Sequence, residues 1–372
     1  MATITKRPES AKPWQVRYRD EAGKSRSKQF RRKTDAEAFV VTMRADKLRG
    51  DWIDPDAGTI TFREYAEEWR QVQMIRPTTA KSYESHLRRH AYPAIGDRQL
   101  RRIRPGDIQK WVKGLSEQLA PSTVAVIHGI TFSIFKSAVR DQKIRSNPCD
   151  GTRLPEVVKK PVEPLTVAQV EAVRDAMPEH YRAAVTLAAT TGLRIGEVFG
   201  LTMDRLDLGP DPVLTVDRQL AKVAGEPPFL GPPKRKASRR EIPLPRTTVE
   251  ALQAHIEAFS PESQKMPVRD AAHRLSEQSV SLVFTTGGRR PVARNTFSPT
   301  WRKAANAAGV PDATFHHLRH TYASLLIQHG ESVKVVQARL GHATAGETLD
   351  TYRHMWPDSD DSTRAAVDGI FG

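Results

Sequence analysis

The stretch 314–354, TFHHLRHTYASLLIQHGESVKVVQARLGHATAGETLDTYRH, determines how the rest of the chain is interpreted. It gathers cationic and proton-transferring side chains around one phenol: His316, His317, Arg319, His320, His342 and Tyr352. Between residues 323 and 340 the apolar residues recur at helical spacing, which predicts packed helices with the polar groups at their ends. A tyrosine placed beside Arg and His side chains is a candidate nucleophile with phosphate-binding partners.

The composition indicates a globular protein with an anionic partner. The 372 residues are enough for about two or three domains. Lys and Arg number 58 against 43 Asp and Glu, which gives a formal net charge of +15. Such an excess favours nucleic acid, because cationic side chains that bind a phosphate backbone release its counterions. A soluble protein that is merely basic is the alternative.

Cysteine usage and hydropathy predict a soluble cytoplasmic protein with no membrane partner. Cys149 is the single cysteine, which excludes internal disulfides and fits a reducing compartment. Residues 1–14 lack the apolar core of a signal peptide, and no window approaches 18 apolar residues. The sequence has no G-x-x-x-x-G-K-S/T loop, which argues against an NTP-driven enzyme.

Residues 1–56 are expected to form a small basic unit, a β-sheet backed by one helix. The run WQVRYR at 14–19 alternates apolar and polar residues, as a strand with one apolar face does. Residues 34–37 resemble a capping box, which predicts that a helix begins there. The side chains predicted to contact DNA are cations of the strands and their turn: Arg17, Arg19, Lys24, Arg26 and Lys28. A solvated basic hairpin is the alternative.

Residues 59–150 predict an all-helical unit, opened by a capping box at Thr61 and Glu64. The second helix is expected to end before the turn at 93–96 and to carry further DNA contacts: Lys81, Arg88 and Arg89. A helical domain that binds another protein is nearly as well supported by composition. Residues 154–164, rich in Pro and Lys, are predicted to be a linker.

Residues 160–372 are expected to combine helices with small β-sheets. Strand-like runs at 213–216 and 240–244 flank the turn GPPKRKAS, which places Lys234 and Lys236 near a hairpin tip. Residues 260–280 are expected to be irregular, and 283–286 to form a strand. His316 and His320 are spaced for a shared metal ion, but no acidic residue completes an H-E-x-x-H pattern, so a metal site is disfavoured.

Five motifs follow one another in this last region: TGLRIGE at 191–197, a hairpin lysine before REIPLP at 240–245, HHLRHTYAS at 316–324, LGH at 340–342 and TLDTYRH at 348–354. In order and spacing they resemble the tyrosine recombinase (phage integrase) family. The resemblance covers residues 165–355 and is weaker for the helical unit. Residues 1–56 resemble the arm-type DNA-binding domain of larger phage integrases.

The resemblance implies a mainly α, multidomain fold with small β-sheets. Its domains would be an arm-type domain at 1–56, a helical core-type DNA-binding domain at 59–150, and a mixed α+β catalytic domain with a C-terminal tail at 160–372. The catalytic set would be Arg194, Lys234, His316, Arg319, His342 and the nucleophile Tyr352. Lys236 is the alternative to Lys234. His317 and Met203 stand where the family often has an acidic residue and a Trp.

The implied reaction joins Tyr352 to a DNA 3′-phosphate, with His316 as the general base, His342 on the phosphate and the hairpin lysine as the acid. Arg194 and Arg319 would bind the phosphate oxygens, and Glu197 would support the site. No cofactor and no metal are implied.

The implied function is a site-specific DNA recombinase that integrates and excises a phage or mobile element. Its implied partners are double-stranded attachment sites, three further copies in a homotetramer, a host DNA-bending protein and an excisionase-type directionality factor. The tail after residue 358 would dock on a neighbouring protomer. The alternatives are a type IB topoisomerase-like nicking–closing enzyme and a non-catalytic DNA-binding regulator. Two DNA-binding modules argue against the first, and the complete catalytic set against the second.

Overall fold

The computed structural model describes residues 2–19, 23, 25–49, 57–158, 162–233, 235–270, 272, 274–356 and 360–371. Two residues predicted to be functional, Lys24 and Lys234, lie outside this part of the chain, as do parts of the predicted linker at 154–164. The chain divides into two compact units, Met1–Val158 and Lys159–Gly372.

A three-stranded antiparallel sheet covered by one helix opens the first unit. Its elements are β1 (Thr3–Lys6), β2 (Trp14–Arg19), β3 (Ser25–Phe30) and α1 (Lys33–Arg49). The alternation predicted for β2 holds in its second half, where Val16 and Tyr18 are buried while Arg17 and Arg19 are exposed, but Gln15 on the predicted polar face is buried. The helix begins one residue before the predicted cap at Thr34, which therefore lies inside the first turn.

The register of β3 shows which faces of the sheet carry the predicted DNA-binding cations. Lys28 pairs with the buried Val16, whereas Arg17 pairs with Ser27. Paired residues of an antiparallel sheet point to the same face, so Lys28 lies on the helix side and Arg17 on the opposite side. The ammonium of Lys28 accordingly lies 4.8 Å from the ring centroid of Phe39 on α1. Arg26 shares the face of Lys28, and Arg19 shares that of Arg17.

The rest of the first unit is helical, with α2 (Phe62–Gln71), α3 (Pro77–His86), α4 (Pro105–Ser116) and α5 (Pro121–Arg140). The predicted capping box forms, because the backbone N–H of Glu64 donates to Thr61 Oγ1 at 3.2 Å and that of Thr61 donates to Glu64 Oε2 at 2.9 Å.

Helix α3 does not end where the sequence predicts. The chain continues beyond α3 as a π-helical segment, Leu87–Gly96, which contains Pro93. Its apolar side chains, including Leu87, Tyr92 and Ile95, are buried in the helical core. Burial of this face thus outweighs the local tendency of proline to end a helix.

By length and composition alone, α5 could span a membrane, which corrects the expectation that no such window exists. Its apolar residues nevertheless form part of the core of the helical unit. Ile127, Ile134 and Phe135 are buried against the other helices. A buried core helix accounts for this composition.

The second unit contains helices α6 (Val167–Ala176), α7 (Glu179–Thr191), α8 (Ile195–Val198), α9 (Arg246–Phe259), α10 (Arg294–Ala307), α11 (His316–Gln328), α12 (Val333–Leu340), α13 (Ala345–Tyr352) and α14 (Asp360–Phe371). Its strands are β4 (Leu206–Asp207), β5 (Val213–Val216), β6 (Gln219–Ala221), β7 (Phe229–Gly231), β8 (Arg240–Pro243), β9 (Ser263–Arg269) and β10 (Leu275–Ser281). They form two sheets, ordered β4-β5-β8 and β10-β9-β7-β6. Helix α11 packs against α7 and α12.

Residues 263–281 form an antiparallel hairpin where the sequence predicts irregular backbone. Strands β9 and β10 pair in continuous register from Ser263–Ser281 to Arg269–Leu275. Most of their side chains are polar, and of the fourteen residues only Met266 and Val280 are buried, so the apolar alternation of a half-buried strand is missing. The predicted strand at 283–286 is instead core: Phe284 is buried, and Thr285 makes an isolated bridge to Pro291.

Candidate active site

Five of the predicted catalytic residues belong to the described part of the chain, and they reach one region of the second unit from separate segments. Arg194 is the N-cap of α8, and His316 and Arg319 lie in the first turn of α11. His342 follows the end of α12, and Tyr352 is the last residue of α13.

A left-handed glycine makes this convergence possible. Gly192 ends α7 with φ 65° and turns the chain toward Arg194. A Cβ atom at this position would lie 2.5 Å from the Tyr322 ring and 3.0 Å from Leu340. Only glycine combines this dihedral with such close packing.

Arg319 is the buried centre of the site, with 1% of its surface exposed. Its Nη1 donates to the carbonyl of Gly192 at 2.7 Å, and its Nη2 donates to the carbonyl of Leu340 at 2.6 Å. Burial, together with the positive charge of Arg194, lowers the pKa of Arg319 to about 9, so the guanidinium stays charged at neutral pH. These two bonds hold α11 between the TGLR and LGH motifs.

Glu197 lies between two arginines and is itself buried. Its Oε1 is 3.0 Å from Arg194 Nη1, and its Oε2 is 3.1 Å from Arg240 Nη2. Burial alone would raise the pKa of Glu197, but the charges of Arg240 and Arg194 outweigh it and hold the pKa below its ordinary value. The carboxylate is therefore ionised at neutral pH and anchors Arg194.

Arg240 was not predicted to belong to the site. It begins the REIPLP motif, and its place in that motif was the available signal. Besides Glu197, it contacts α12, where its Nε donates to the carbonyl of Arg339 at 2.8 Å. Arg240 thus connects β8, α8 and the turn before His342.

The phenol of Tyr352 is buried and hydrogen-bonded to a histidine that the catalytic set did not include. Its hydroxyl lies 2.8 Å from Nδ1 of His320, whereas the predicted base was His316. The His342 ring stacks beside the phenol with centroids 6.4 Å apart. Burial raises the pKa of Tyr352 to about 12, against the opposing charges of Arg319 and Arg194.

Three histidines around the phenol are neutral at pH 7. Burial is the largest cause, and nearby positive groups act in the same direction, so the pKa of His316 falls to about 4, that of His320 to about 3 and that of His342 to about 4. The His316 ring meets that of His320 edge-on, with centroids 4.7 Å apart. His342 Nδ1 lies 2.8 Å from the hydroxyl of Thr348. Neutral imidazoles can accept a proton or share one in a hydrogen bond.

His316 and His320, whose spacing alone would suit a shared metal ion, lie against each other beside the phenol. Within the described ranges, no group of three or more His, Cys, Asp or Glu side chains is placed to hold a metal ion. His320 contacts the phenol instead.

The segment between β7 and β8, which was predicted to be a hairpin tip, lies next to the helix that ends at Tyr352. It joins two different sheets rather than two paired strands, because β7 pairs with β6 and β9 whereas β8 pairs with β5. Lys234 is outside the described residues, but its neighbour Arg235 places Nη1 2.6 Å from Glu347 Oε2 on α13. Lys236 begins a single 3₁₀ turn, Lys236–Ser238. The Ser238 hydroxyl donates to the carbonyl of Gly341 at 3.4 Å.

A cavity of about 680 Å³ opens beside Arg194 and His316. Cations from two other elements line it, namely Lys222 after β6 and Arg294 and Arg302 on α10. Its walls could accommodate an anionic polymer that approaches Arg194.

The cations predicted in the helical unit are exposed on α3 and the π-helical segment. Lys81 Nζ lies 3.1 Å and Arg88 Nη2 3.2 Å from the carboxylate of Glu84, and Arg89 is exposed beside them. Glu84 thus partly neutralises this surface.

Comparisons with known proteins identify the family and the fold. Residues 163–358 match the profile of the phage integrase family, and residues 61–116 match that of the phage integrase N-terminal SAM-like domain. The putative prophage phiRv2 integrase of Mycobacterium tuberculosis is 31% identical over 351 residues, which cover 92% of this chain and 88% of the relative. The integrase of Mycobacterium phage FRAT1 is 29% identical and covers 83% of this chain and 91% of its own.

Solved structures share the fold. The Tn1549 transposon integrase in complex with transposon right end DNA has a TM-score of 0.70 at 22% identity, covering 84% of this chain and 100% of that one. A lambda integrase tetramer bound to a Holliday junction has a TM-score of 0.61 at 18% identity, covering 92% and 96%. These matches confirm the predicted family and fold class. The chain therefore belongs to the phage integrase family of tyrosine-type site-specific recombinases.

Proposed function

We propose that this protein integrates and excises a phage or mobile element by cutting and rejoining DNA through a covalent 3′-phosphotyrosine at Tyr352. One observation carries the proposal: the Tyr352 phenol lies beside His320 and His342 and within electrostatic reach of Arg319 and Arg194. These residues come from separate segments of the chain, and the His316 ring adjoins that of His320. Cations and imidazoles around a phenol suit attack on a phosphodiester.

The two arginines would stabilise the negative charge that develops on the nonbridging oxygens of the phosphate. Arg194 has 31% of its side chain exposed and lines the cavity, so it can meet the phosphate directly. Arg319 has each Nη bonded to a carbonyl, and each such nitrogen carries a second hydrogen that remains available as a donor. His342 would donate a further hydrogen bond.

The tyrosine oxygen would form its bond to phosphorus as the bond to the 5′-oxygen breaks. That oxygen needs a proton, which we assign to Lys234, with Lys236 as the alternative. The ion pair between Arg235 and Glu347 supports this role, because it holds the segment before β8 beside the helix of the nucleophile. The phosphotyrosine conserves the energy of the broken bond until a 5′-hydroxyl of a second strand attacks it.

DNA would be gripped by three modules: an arm-type domain at 1–56, a helical core-type domain at 59–150 and the catalytic domain at 160–372. In the arm-type domain we assign the exposed sheet face, with Arg17, to attachment-site DNA. In the other two, exposed Lys81, Arg88 and Arg89 and the cavity cations Lys222, Arg294 and Arg302 would contact the backbone.

The assembly proposed is a homotetramer on DNA in the cytoplasm of a bacterial host. The similarity in fold to a lambda integrase tetramer on a Holliday junction supports this stoichiometry. A host DNA-bending protein and an excisionase-type directionality factor are the accessory partners proposed.

A nicked suicide duplex tests the covalent step. The wild-type chain should form a denaturation-resistant DNA adduct, while Tyr352→Phe should bind the duplex with unchanged affinity and form none. Tyr322→Phe is the matched control, because Tyr322 packs in the same small core as Tyr352. A normal adduct from Tyr352→Phe would refute the assignment.

A further inference from the structure

We propose that His320, rather than His316, is the base that takes the phenolic proton of Tyr352 when the strand is cut. The proposal rests on the proposed function and names one more residue that touches the reacting atom. It starts from a single contact: a ring nitrogen of His320 lies within hydrogen-bonding distance of the nucleophilic oxygen.

The surrounding contacts distinguish the histidines. Nδ1 of His320 is 2.8 Å from the phenol oxygen, while Nδ1 of His342 is engaged by Thr348. His317 Nδ1 accepts the backbone N–H of Thr314 at 3.0 Å. His316 meets His320 only ring to ring and also lines the cavity beside Arg194. His316 is thus placed to meet the phosphate, and His320 to meet the nucleophile.

The position of His320 is secured by its neighbour in the chain. Arg319 ties the first turn of α11 to the carbonyls of Gly192 and Leu340. The helix cannot shift without breaking both bonds, so the imidazole of His320 is held against Tyr352. A preorganised acceptor of this kind costs no rearrangement when the proton moves.

The surroundings of His320 explain when it would accept the proton. Burial is the largest cause that opposes its protonation, and His316, His317, Arg319 and His342 act in the same direction, so the ring is neutral and its Nδ1 can accept a hydrogen bond. A bound phosphodiester would bring a negative charge beside Arg319 and offset its effect on His320. The phenol also becomes more acidic as its oxygen bonds to phosphorus, so transfer fits the moment of bond formation.

The step balances. The Tyr352 oxygen forms its bond to phosphorus and passes its proton to Nδ1 of His320, while the phosphorus–O5′ bond breaks and the leaving oxygen takes a proton from the hairpin lysine. In rejoining, the incoming 5′-hydroxyl gives its proton to that lysine, and the departing phenol regains its own from His320. Neither step consumes a co-reactant.

The test is single-turnover adduct formation on the suicide duplex. His320→Asn keeps a hydrogen-bonding atom near the position of Nδ1 but cannot take a proton at neutral pH, so we expect a loss of about 100-fold or more. The same variant with 3,5-difluorotyrosine at position 352, whose phenol is more acidic, should recover at least about tenfold, since a weaker base then suffices. His316→Asn is the matched control and should show no such recovery.

The outcomes separate the two proposals. If the wild-type chain forms no adduct, the proposed function fails. If it does and His320→Asn matches it, His320 is not the base. If His320→Asn is slow but fluorination does not help, His320 only positions Tyr352, and the inference is overturned. Retained duplex affinity and a cooperative melt show that each variant is folded, and His320→Gln provides a second variant should the Asn form not fold.

Discussion

The Glu197 carboxylate and the Arg240 guanidinium form an ion pair 3.1 Å long, with 3% and 7% of their side chains exposed. The pair joins two motifs that are 43 residues apart in sequence. Because Glu197 also binds Arg194, the position of Arg194, which we propose binds the phosphate, depends on a strand outside its own motif. The site is therefore held together by a buried charge network as well as by apolar packing.

Replacing Glu197 with Gln should strongly destabilise the second unit. Two arginines would lose their shared counter-charge, and breaking a buried pair from one side costs about 3–5 kcal/mol. The free energy of unfolding from urea titration measures this cost. Glu250→Gln, which removes an exposed pair with Arg246, should leave the midpoint nearly unchanged. If the two substitutions lowered the free energy of unfolding equally, the buried charge network would not be what stabilises the site.

Stability should fall as the pH drops from about 6.5 toward 4. His316, His320 and His342 have pKa values lowered from 6.5 to about 4, 3 and 4 in the folded chain. In this window the unfolded state therefore binds more protons, and protonation favours unfolding. Their contribution is present above pH 6.5 and is lost as the pH falls through the folded values.

Urea titrations between pH 4 and 7.5 measure this dependence. A variant with all three histidines replaced by Asn should show a shallower slope than the wild-type chain. A slope that does not change in the triple variant would assign the pH dependence to other groups.

Gly192→Ala should abolish adduct formation and reduce stability. The added Cβ would collide with Tyr322 and Leu340, and φ 65° is unfavourable for alanine. The Gly192 carbonyl that receives Arg319 would move as well. Thermal unfolding and the suicide duplex measure the two effects.

Gly129→Ala is the matched control for that substitution. Gly129 is exposed within α5 and has nothing within 4 Å of an added Cβ. The change should therefore stabilise the chain, by up to about 1 kcal/mol. Destabilisation by both substitutions would point to a general intolerance of alanine rather than to the Gly192 turn.

Arg17→Ala should weaken DNA binding more than Lys28→Ala does. The two cations lie on opposite faces of the N-terminal sheet, and we assign the Arg17 face to DNA. Removing one phosphate contact should lower the slope of log affinity against log salt by about 1. A salt series on one duplex measures both variants.

Lys28→Ala should act on the fold of the sheet instead. Its ammonium lies over the rings of Phe30 and Phe39 on the helix side, a contact worth about 0.5–1 kcal/mol. If Lys28→Ala rather than Arg17→Ala reduces the salt slope, the sheet binds DNA through the other face.

The sequence predicted the residues of the site better than it predicted their contacts. Arg194, His316, Arg319, His342 and Tyr352 occur in ordered motifs and could be found without coordinates. The choice between His316 and His320 could not be made, because residues four apart share one helix face. Which of them meets Tyr352 depends on how α13 docks against α11, a contact between distant segments.

Contacts between distant segments also explain the other features that the sequence did not predict. Arg240 contributes through partners far away in sequence, Glu197 and Arg339, so its local context shows only a strand. Strands β9 and β10 are stabilised by pairing with each other, and their polar side chains conceal that pairing. At Pro93, burial of neighbouring side chains overrides a local signal that usually ends a helix.

Tyr352 has 1% of its surface exposed, in a small core with Ile327, Val336 and Leu340. Water is the nucleophile that competes with an incoming DNA end for a phosphotyrosine. A phenol enclosed in this way would exclude water from the phosphotyrosine while the strands are exchanged. Under the proposed function, hydrolysis there would leave a permanent break in the host chromosome, so the depth of one side chain would protect the continuity of the genome that the element enters.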